Sequence, residues 1–174
     1  MTDDRGGPED FASAFEPLAA IAYRVAFRVL GNREDARDVA QEALSRAFAR
    51  WSRVSAYAEP WVARVAANEA LGRARRGQGA QRVATAGASS GVLREQALGP
   101  GELVSRLDLV RVLAKLPKRQ REVVVLRHLA DLPEADVARV LGCSVGTVKS
   151  QGHRGLAALR LLLDPELLAG VTHV

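Results

Sequence analysis

The chain has 174 residues, 48% of them hydrophobic, and a formal net charge of +5, enough apolar material for one medium or two small folded domains, which excludes a disordered chain. It lacks an apolar run of about eighteen residues, and its start, MTDDRGGPED, is acidic and polar where a signal peptide is basic and then greasy. One cysteine and three scattered histidines leave no internal disulfide and no metal set, so a soluble cytoplasmic protein with no cofactor and no membrane insertion is expected.

Charge is uneven along the chain. Asp3, Asp4, Glu9, Asp10 and Glu16 crowd the N-terminus, while Arg64, Arg73, Arg75, Arg76 and Arg82 cluster further on. Such asymmetry points to a polyanionic partner for the basic segment. Strand signals are scarce and helical spacing dominates, so an all-α fold is predicted.

The first helix is predicted from Pro8 to Leu30, with Leu18, Ile21, Val25 and Val29 near one face and Gly31 ending it. Asn32 is a helix cap, with Asp35 as its reciprocal partner and Glu34 near the positive end of the dipole. In the helix that follows, Ala36, Ala40, Ala43, Leu44, Ala47, Phe48 and Trp51 take core spacing. Asp35, Asp38, Glu42 and Arg46 form a separate polar stripe. Pro60 then suits the first turn of a helix reaching roughly to Arg76. On it Arg64, Asn68 and Arg75 fall within about 40° of one another, opposite Val62 and Ala66. Residues 77–101, rich in Gly, Ala, Ser and Gln, read as a flexible linker. Helical periodicity returns at Glu102, stops at Pro117, resumes in KRQREVVVLRHLA and resumes again at Pro133.

Pro133 to Leu163 form two helices around a tight turn. Gly142 stops the first, Ser144 caps the second, and Val145, Val148, Leu156, Leu159 and Leu163 are expected on one buried face. Lys149, Ser150, His153 and Arg154 then look outward, which is helix-turn-helix geometry suited to a major groove. The same spacing also fits a helical hairpin whose basic residues are a solvated face. Cys143, in the turn, is expected to pack as a small apolar residue.

LAKLPKRQREVVVLRHLADLPEADVARVLGCSVGTVKSQGHRGLAALR closely resembles the promoter-binding C-terminal domain of bacterial sigma factors of the extracytoplasmic function (ECF) type. Upstream, REDARDVAQEALSRAFARW is similar to that family's polymerase-binding helix, with Asp38, Gln41 and Glu42 matching its D-x-x-Q-E pattern. AEPWVARVAANEALGRARR is similar to the helix that meets the minus-10 element, with Trp61 and Asn68 in the expected places.

The resemblance implies a polymerase-binding, minus-10-reading domain over residues 8–76, a linker over 77–101, a minus-35-reading helix-turn-helix domain over 102–163 and a tail over 164–174. It implies no enzyme, but a factor that binds core RNA polymerase through its clamp coiled coil and flap, and that binds promoter DNA. An anti-sigma factor is a further expected partner. Asp35, Asp38, Gln41, Glu42 and Arg46 would dock on the polymerase. Asn68 would read an unpaired base, since an amide both donates and accepts; Arg64, Arg75 and Arg76 would hold phosphates, and Tyr57 or Trp61 would support an exposed base. Core packing is the competing role for Trp61, and a salt bridge for Arg64. Lys149, Ser150, His153 and Arg154 would meet the minus-35 element, with Arg119 and Arg121 on the neighbouring helix crossing the backbone.

Gly72, Gly152 and Gly155 depart from the family pattern. Each glycine costs roughly 0.5–1 kcal/mol of helix stability, so the recognition helix is expected to be softer or bent in its second half. Two competing readings remain: a free-standing helix-turn-helix regulator, which leaves the N-terminal helices unexplained, and an adaptor that has lost promoter contact and sequesters a partner helix.

Overall fold

The computed structural model describes residues 8–86 and 109–163, with side chains over residues 9–77 and 109–163. The described residues are helical with short connections and contain no strand, as the spacing predicts.

Helix α1 (Pro8–Leu30) is closed by Gly31 at φ +69°, a left-handed conformation that glycine adopts without strain. Asn32 then opens α2 (Arg33–Phe48), its Oδ1 accepting the amides of Glu34 at 2.8 Å and Asp35 at 3.1 Å. A short α3 (Trp51–Val54) and a 3-10 turn over Ser55–Tyr57 lead into α4 (Ala58–Ala86). Pro60 lies in the first turn of α4, where a missing amide breaks no helical bond. The helix continues past its predicted end at Arg76 to Ala86, because alanine, glutamine and arginine sustain an established helix across the isolated glycines 77 and 79. The expected linker therefore begins as helix; its residues 87–101, the predicted helical start at 102–108 and the tail at 164–174 lie outside the described residues.

Helices α1, α2 and α4 pack mutually around Leu18, Ile21, Val25, Val29, Leu44 and Val62. Phe48, assigned to this core by its spacing, is instead 55% exposed, and Val39 is fully buried. Trp51, assigned to the same core, is buried there: it meets the ring of Phe11 edge-on at 5.0 Å and donates from Nε1 to Asp10 at 3.3 Å.

In the C-terminal half, helical residues 109–115 form α5, and Pro117 starts α6 (Lys118–Val124), which widens into a π-turn over Val125–Leu129. Helices α7 (Glu134–Leu141) and α8 (Val145–Leu163) complete the helix-turn-helix. Gly142 ends α7 at φ +63°, and Ser144 Oγ accepts the Thr147 amide at 3.1 Å, so stop and cap fall where predicted. Cys143 is half-buried beside the core.

The buried face of α8 holds Val148 and Leu159 where predicted, with Leu156 half-buried against the core, but Val145 and Leu163 are 39% and 56% exposed, and Gly155, buried, and Gly152, half-buried, join the face instead. Glycine carries no apolar signal, so a hydrophobicity pattern misses a stripe that two glycines help to form. The expected softening is also replaced by a different role, since α8 is one continuous helix. A Cβ built on Gly155 would stand 2.7 Å from Val124 Cγ2 and 3.3 Å from the Gln120 carbonyl oxygen. Gly155 thus seats α8 against α6. Forcing a methyl group into such a contact costs about 1–3 kcal/mol, against a gain of at most about 1 kcal/mol in helix propensity. Gly155→Ala is therefore expected to lower the urea midpoint of unfolding. Gly152→Ala, whose Cβ meets only Val123 Cγ1 at 3.4 Å, is expected to gain about 0.5–1 kcal/mol; shifts of the same sign in both variants would refute these roles.

Candidate nucleic-acid interface

With Val148, Gly155 and Leu159 turned inward, α8 presents Lys149, Ser150, His153 and Arg154, all exposed, on its other side. Ser150 Oγ donates to the Thr147 carbonyl at 3.0 Å, and Lys149 Nζ lies 3.7 Å from Glu134 on α7. An exposed pair at that distance contributes about 0–1 kcal/mol and yields readily to a phosphate. Arg154 has no ion pair among the described residues, so its planar fork of donors is available for two acceptors at once. The two arginines of α6 are more occupied. Arg119 donates to the Leu141 carbonyl at 3.2 Å and lies 3.5 Å from Glu122, and Arg121 donates to the carbonyls of Ala114 and Leu116 at 3.3 and 3.4 Å.

Arg64, Asn68 and Arg75 share one side of α4, as the spacing requires, but that side faces the C-terminal half. Arg64 Nη1 donates to the Val140 carbonyl at 3.0 Å and Nη2 to Glu122 Oε1 at 3.3 Å. The salt-bridge role left open for Arg64 is thus occupied. Asn68 lines two small cavities of about 40 Å³ each, one shared with Arg64, Arg121 and Glu122 and the other with Arg75, Val110 and Arg121. Arg76 pairs with Glu69 at 3.3 Å, and Arg75 is exposed. Trp61 and Tyr57 are half-buried against the core. Gly72 is buried, and a Cβ there would meet only the guanidinium end of Arg76.

The polar stripe of α2 divides. Asp38 pairs with Arg73 at 3.5 Å, and Glu42 with Arg46 at 2.7 Å; Glu69 joins them, 3.7 Å from both Arg46 and Arg73. Asp35 and Gln41 remain exposed. Gln41 also lines an open groove of about 530 Å³ between α1 and α2, whose walls include Phe11, Phe15, Tyr23, Leu44 and Phe48. Phe15 and Phe48 are 45% and 55% exposed there. Sequence spacing misses this groove because it assigns Phe48 to the core and gives Phe11, Phe15 and Tyr23 no role.

At the far end of the contact between the halves, Arg28 Nη1 donates to the Leu129 carbonyl at 2.5 Å and to Asp131 Oδ2 at 2.6 Å. Asp131 is held at φ +56°. The Arg28 hydrogen bond, with its positive charge, lowers the Asp131 pKa below its ordinary 3.8. A lowered carboxylate stabilises the contact above its ordinary pKa, and that contribution is lost only as pH falls through the lowered value; the pair is intact at neutral pH. Among the described residues no His, Cys, Asp and Glu group is arranged to hold a metal, and no helix is long and apolar enough to cross a membrane.

Residues 14–80 match the family Sigma-70 region 2, and residues 106–159 match Sigma-70, region 4. The ECF RNA polymerase sigma factor SigW of Bacillus subtilis is 31% identical over 170 residues, covering 90% of each chain. RNA polymerase sigma-E factor of Streptomyces coelicolor is 36% identical over 141 residues, covering 79% of this chain and 76% of its own. The fold is shared with CnrH, solved with the cytosolic domain of CnrY, at TM-score 0.57 and 21% identity over 92% of this chain and 91% of that one. It is shared also with the sigma factor RpoE of Bartonella quintana, solved with the anti-sigma factor NepR, at TM-score 0.53 and 21% identity over 89% and 97%. Both regions stand in order along a chain that matches SigW over nearly its full length, and the protein belongs to the ECF sigma factors of the sigma-70 family.

Proposed function

We propose that this ECF sigma factor binds core RNA polymerase through α2, reads the minus-35 element with α8 and engages the minus-10 element with the Arg64, Asn68 and Arg75 side of α4. The observation that carries this reading is α8 itself. Its turn is fixed by Gly142 and Ser144, its inner face is seated on α6, and Lys149, Ser150, His153 and Arg154 stand exposed on the opposite side. Arg154 reads a base edge in bidentate fashion, and Lys149 contacts phosphate. Asn68 holds the edge of an unpaired base, Arg64, Arg75 and Arg76 hold the strand, and Tyr57 or Trp61 backs the exposed ring. Arg119 and Arg121 brace the backbone contact of α6. The protein acts by binding rather than as an enzyme, in the cytoplasm where core polymerase works.

Asp35, Asp38, Gln41, Glu42 and Arg46 form the polymerase contact on the clamp coiled coil, with α8's domain meeting the flap. The open groove beside Gln41 extends that contact with apolar area. An anti-sigma protein is a further partner, a reading supported by RpoE of Bartonella quintana having been solved with the anti-sigma factor NepR. Gly72, Gly152 and Gly155 give the adaptor reading its support; Gly152 and Gly155 turn towards α6, away from the DNA side, and Gly72 is buried on α4 beside the Arg76 guanidinium.

Mapping of transcript start sites made by core polymerase plus this protein on genomic DNA is expected to return one pair of promoter elements at fixed spacing. A gel shift at promoters by the protein alone, with no start sites on adding core, would instead favour a free-standing regulator. Arg154→Ala is expected to weaken promoter use by about 5–150-fold, the equivalent of 1–3 kcal/mol, and to relax preference at a single minus-35 base pair. Uniform weakening with unchanged preference would demote Arg154 to a phosphate contact. Asn68→Ala is expected to slow strand opening, read by permanganate reactivity, while leaving binding of a minus-35 duplex by the holoenzyme unchanged.

A further inference from the structure

We propose that the first turn of α8 is the deepest point of the minus-35 reading surface: bare backbone at Gly146 lets the helix come against the base edges, and Thr147 there reads the methyl group of a thymine. This rests on the assignment of α8 to the minus-35 element.

Gly142, Gly155 and Gly146 differ in what each does for the fold. Gly142 takes a left-handed φ of +63° that ends α7, and Gly155 stands where a Cβ would meet Val124 Cγ2 at 2.7 Å. Gly146 has neither reason. It lies within α8 without a positive φ, it is exposed, and a Cβ built on it would meet only Ser144 Oγ at 3.8 Å, an ordinary contact. Glycine weakens a helix wherever alanine would fit, so the fold alone would be better served by a side chain here. A glycine that the fold does not use suits a surface where the backbone approaches a ligand closely. At about 100° per residue, Gly146 falls within about 40° of Ser150 and about 20° of His153, nearly opposite the buried Val148, Gly155 and Leu159. In helix-turn-helix docking the N-terminal residues of the second helix are the ones that contact base edges.

Thr147, the next residue, has its polar groups engaged within the chain. Its amide donates to Ser144 Oγ at 3.1 Å, its hydroxyl pairs with the same oxygen at 2.9 Å, and its carbonyl accepts from Ser150 Oγ at 3.0 Å. With the hydroxyl turned back to the cap, this exposed side chain offers a ligand its methyl group. The apolar feature of the major groove is the thymine C5-methyl, and a threonine methyl is a fitting partner for it. Thr147 and Arg154 fall within about 20° of each other and lie about 10 Å apart along the helix axis. The thymine met by Thr147 and the base met by Arg154 therefore stand about three base pairs apart.

Holoenzyme made from core polymerase and the full chain, on one promoter found by start-site mapping, tests both parts. Each thymine of the minus-35 region, on either strand, is replaced in turn by uracil, which removes the methyl group alone. At one thymine, about three base pairs from the pair at which Arg154→Ala relaxes preference, uracil is expected to weaken binding about threefold to fourfold, the factor for one buried methyl group. Thr147→Ser keeps a hydroxyl for Ser144; it is expected to bind the unmodified promoter weaker by the same factor and to be indifferent to uracil. Parent holoenzyme indifferent to uracil at every position, or a uracil effect of the same size in Thr147→Ser, overturns the methyl contact. Gly146→Ala is expected to raise the urea midpoint of the protein and yet to weaken promoter binding about fivefold or more, the factor for a methyl group forced into a close contact, with core polymerase bound as before. Unchanged promoter binding, or a lowered urea midpoint, overturns the close approach. If Arg154→Ala acts while Thr147→Ser and Gly146→Ala do not, α8 remains the minus-35 reader and this inference alone fails. If none of the three alters promoter binding, the assignment of α8 fails with it.

Discussion

The arrangement of the two halves depends on one carboxylate taken out of water. Glu122 lies on the inner side of α6 at 6% exposure, and a charge in that position is tolerated only with cations and donors around it. One cation, Arg119, comes from the same helix and also ties α6 to the end of α7 through the Leu141 carbonyl. The other, Arg64, comes from α4 and reaches the neighbouring Val140 carbonyl as well. The end of the positioning helix, where carbonyls lack intrahelical partners, is thus satisfied by arginines from both sides. The helix-turn-helix gains its local order from the same contacts that join it to the N-terminal half.

A second constraint fixes the reading surface. The direction in which Lys149 and Arg154 point is set by rotation about the α8 axis, and that rotation follows from which residues are pressed into α6. At Gly155 α8 lies against α6 with no room for a Cβ, and residues with larger side chains would move the helices apart. The apparent weakness of two glycines in a recognition helix is the condition for its close seating. Helix propensity is sacrificed locally, and packing supplies what propensity does not.

Where the residues alone decide an outcome, the sequence is a good guide. Gly31, Asn32, Gly142 and Ser144 mark helix ends through backbone conformation and local hydrogen bonds, both of which depend on neighbours in the chain. The family resemblance was legible for a related reason, since the matched segments carry their polar pattern in short runs. Three features were not legible. The inner face of α8 carries a hydrophobic signature at Val148 and Leu159, but Gly155 between them gives none. Phe48 has core spacing but lines the open groove between α1 and α2, its ring 5.1 Å from that of Phe11, a contact with a separate helix. Glu122 stands among charged residues in KRQREVV, yet it is buried and meets Arg64 from a distant part of the chain. Each miss concerns a choice made by tertiary contact, as does the partner of Arg64.

Helices α2 and α4, which pack on each other and on α1, both bury runs of alanine. Ala36, Ala40, Ala43 and Ala47 on α2, with Ala63, Ala66, Ala67 and Ala70 on α4, are all buried. Small side chains let helix axes approach at the near end of the usual 8–10 Å range, but they make smooth surfaces with few knobs to resist rotation or sliding. The ion pairs alongside supply that resistance. Arg73 spans Asp38 and Glu69, and Arg46 spans Glu42 and Glu69, and each opposes a turn of α4 about its axis even though each contributes little free energy in water. Such a turn would swing Asn68 and Arg64 away from the face they share. The stripe of α2 that the resemblance assigns to polymerase binding is therefore also what sets the rotation of the helix assigned to the DNA strand. A partner drawing Asp38 or Arg46 out of these pairs acts on α4 through Arg73 and through Glu69, the residue next to Asn68.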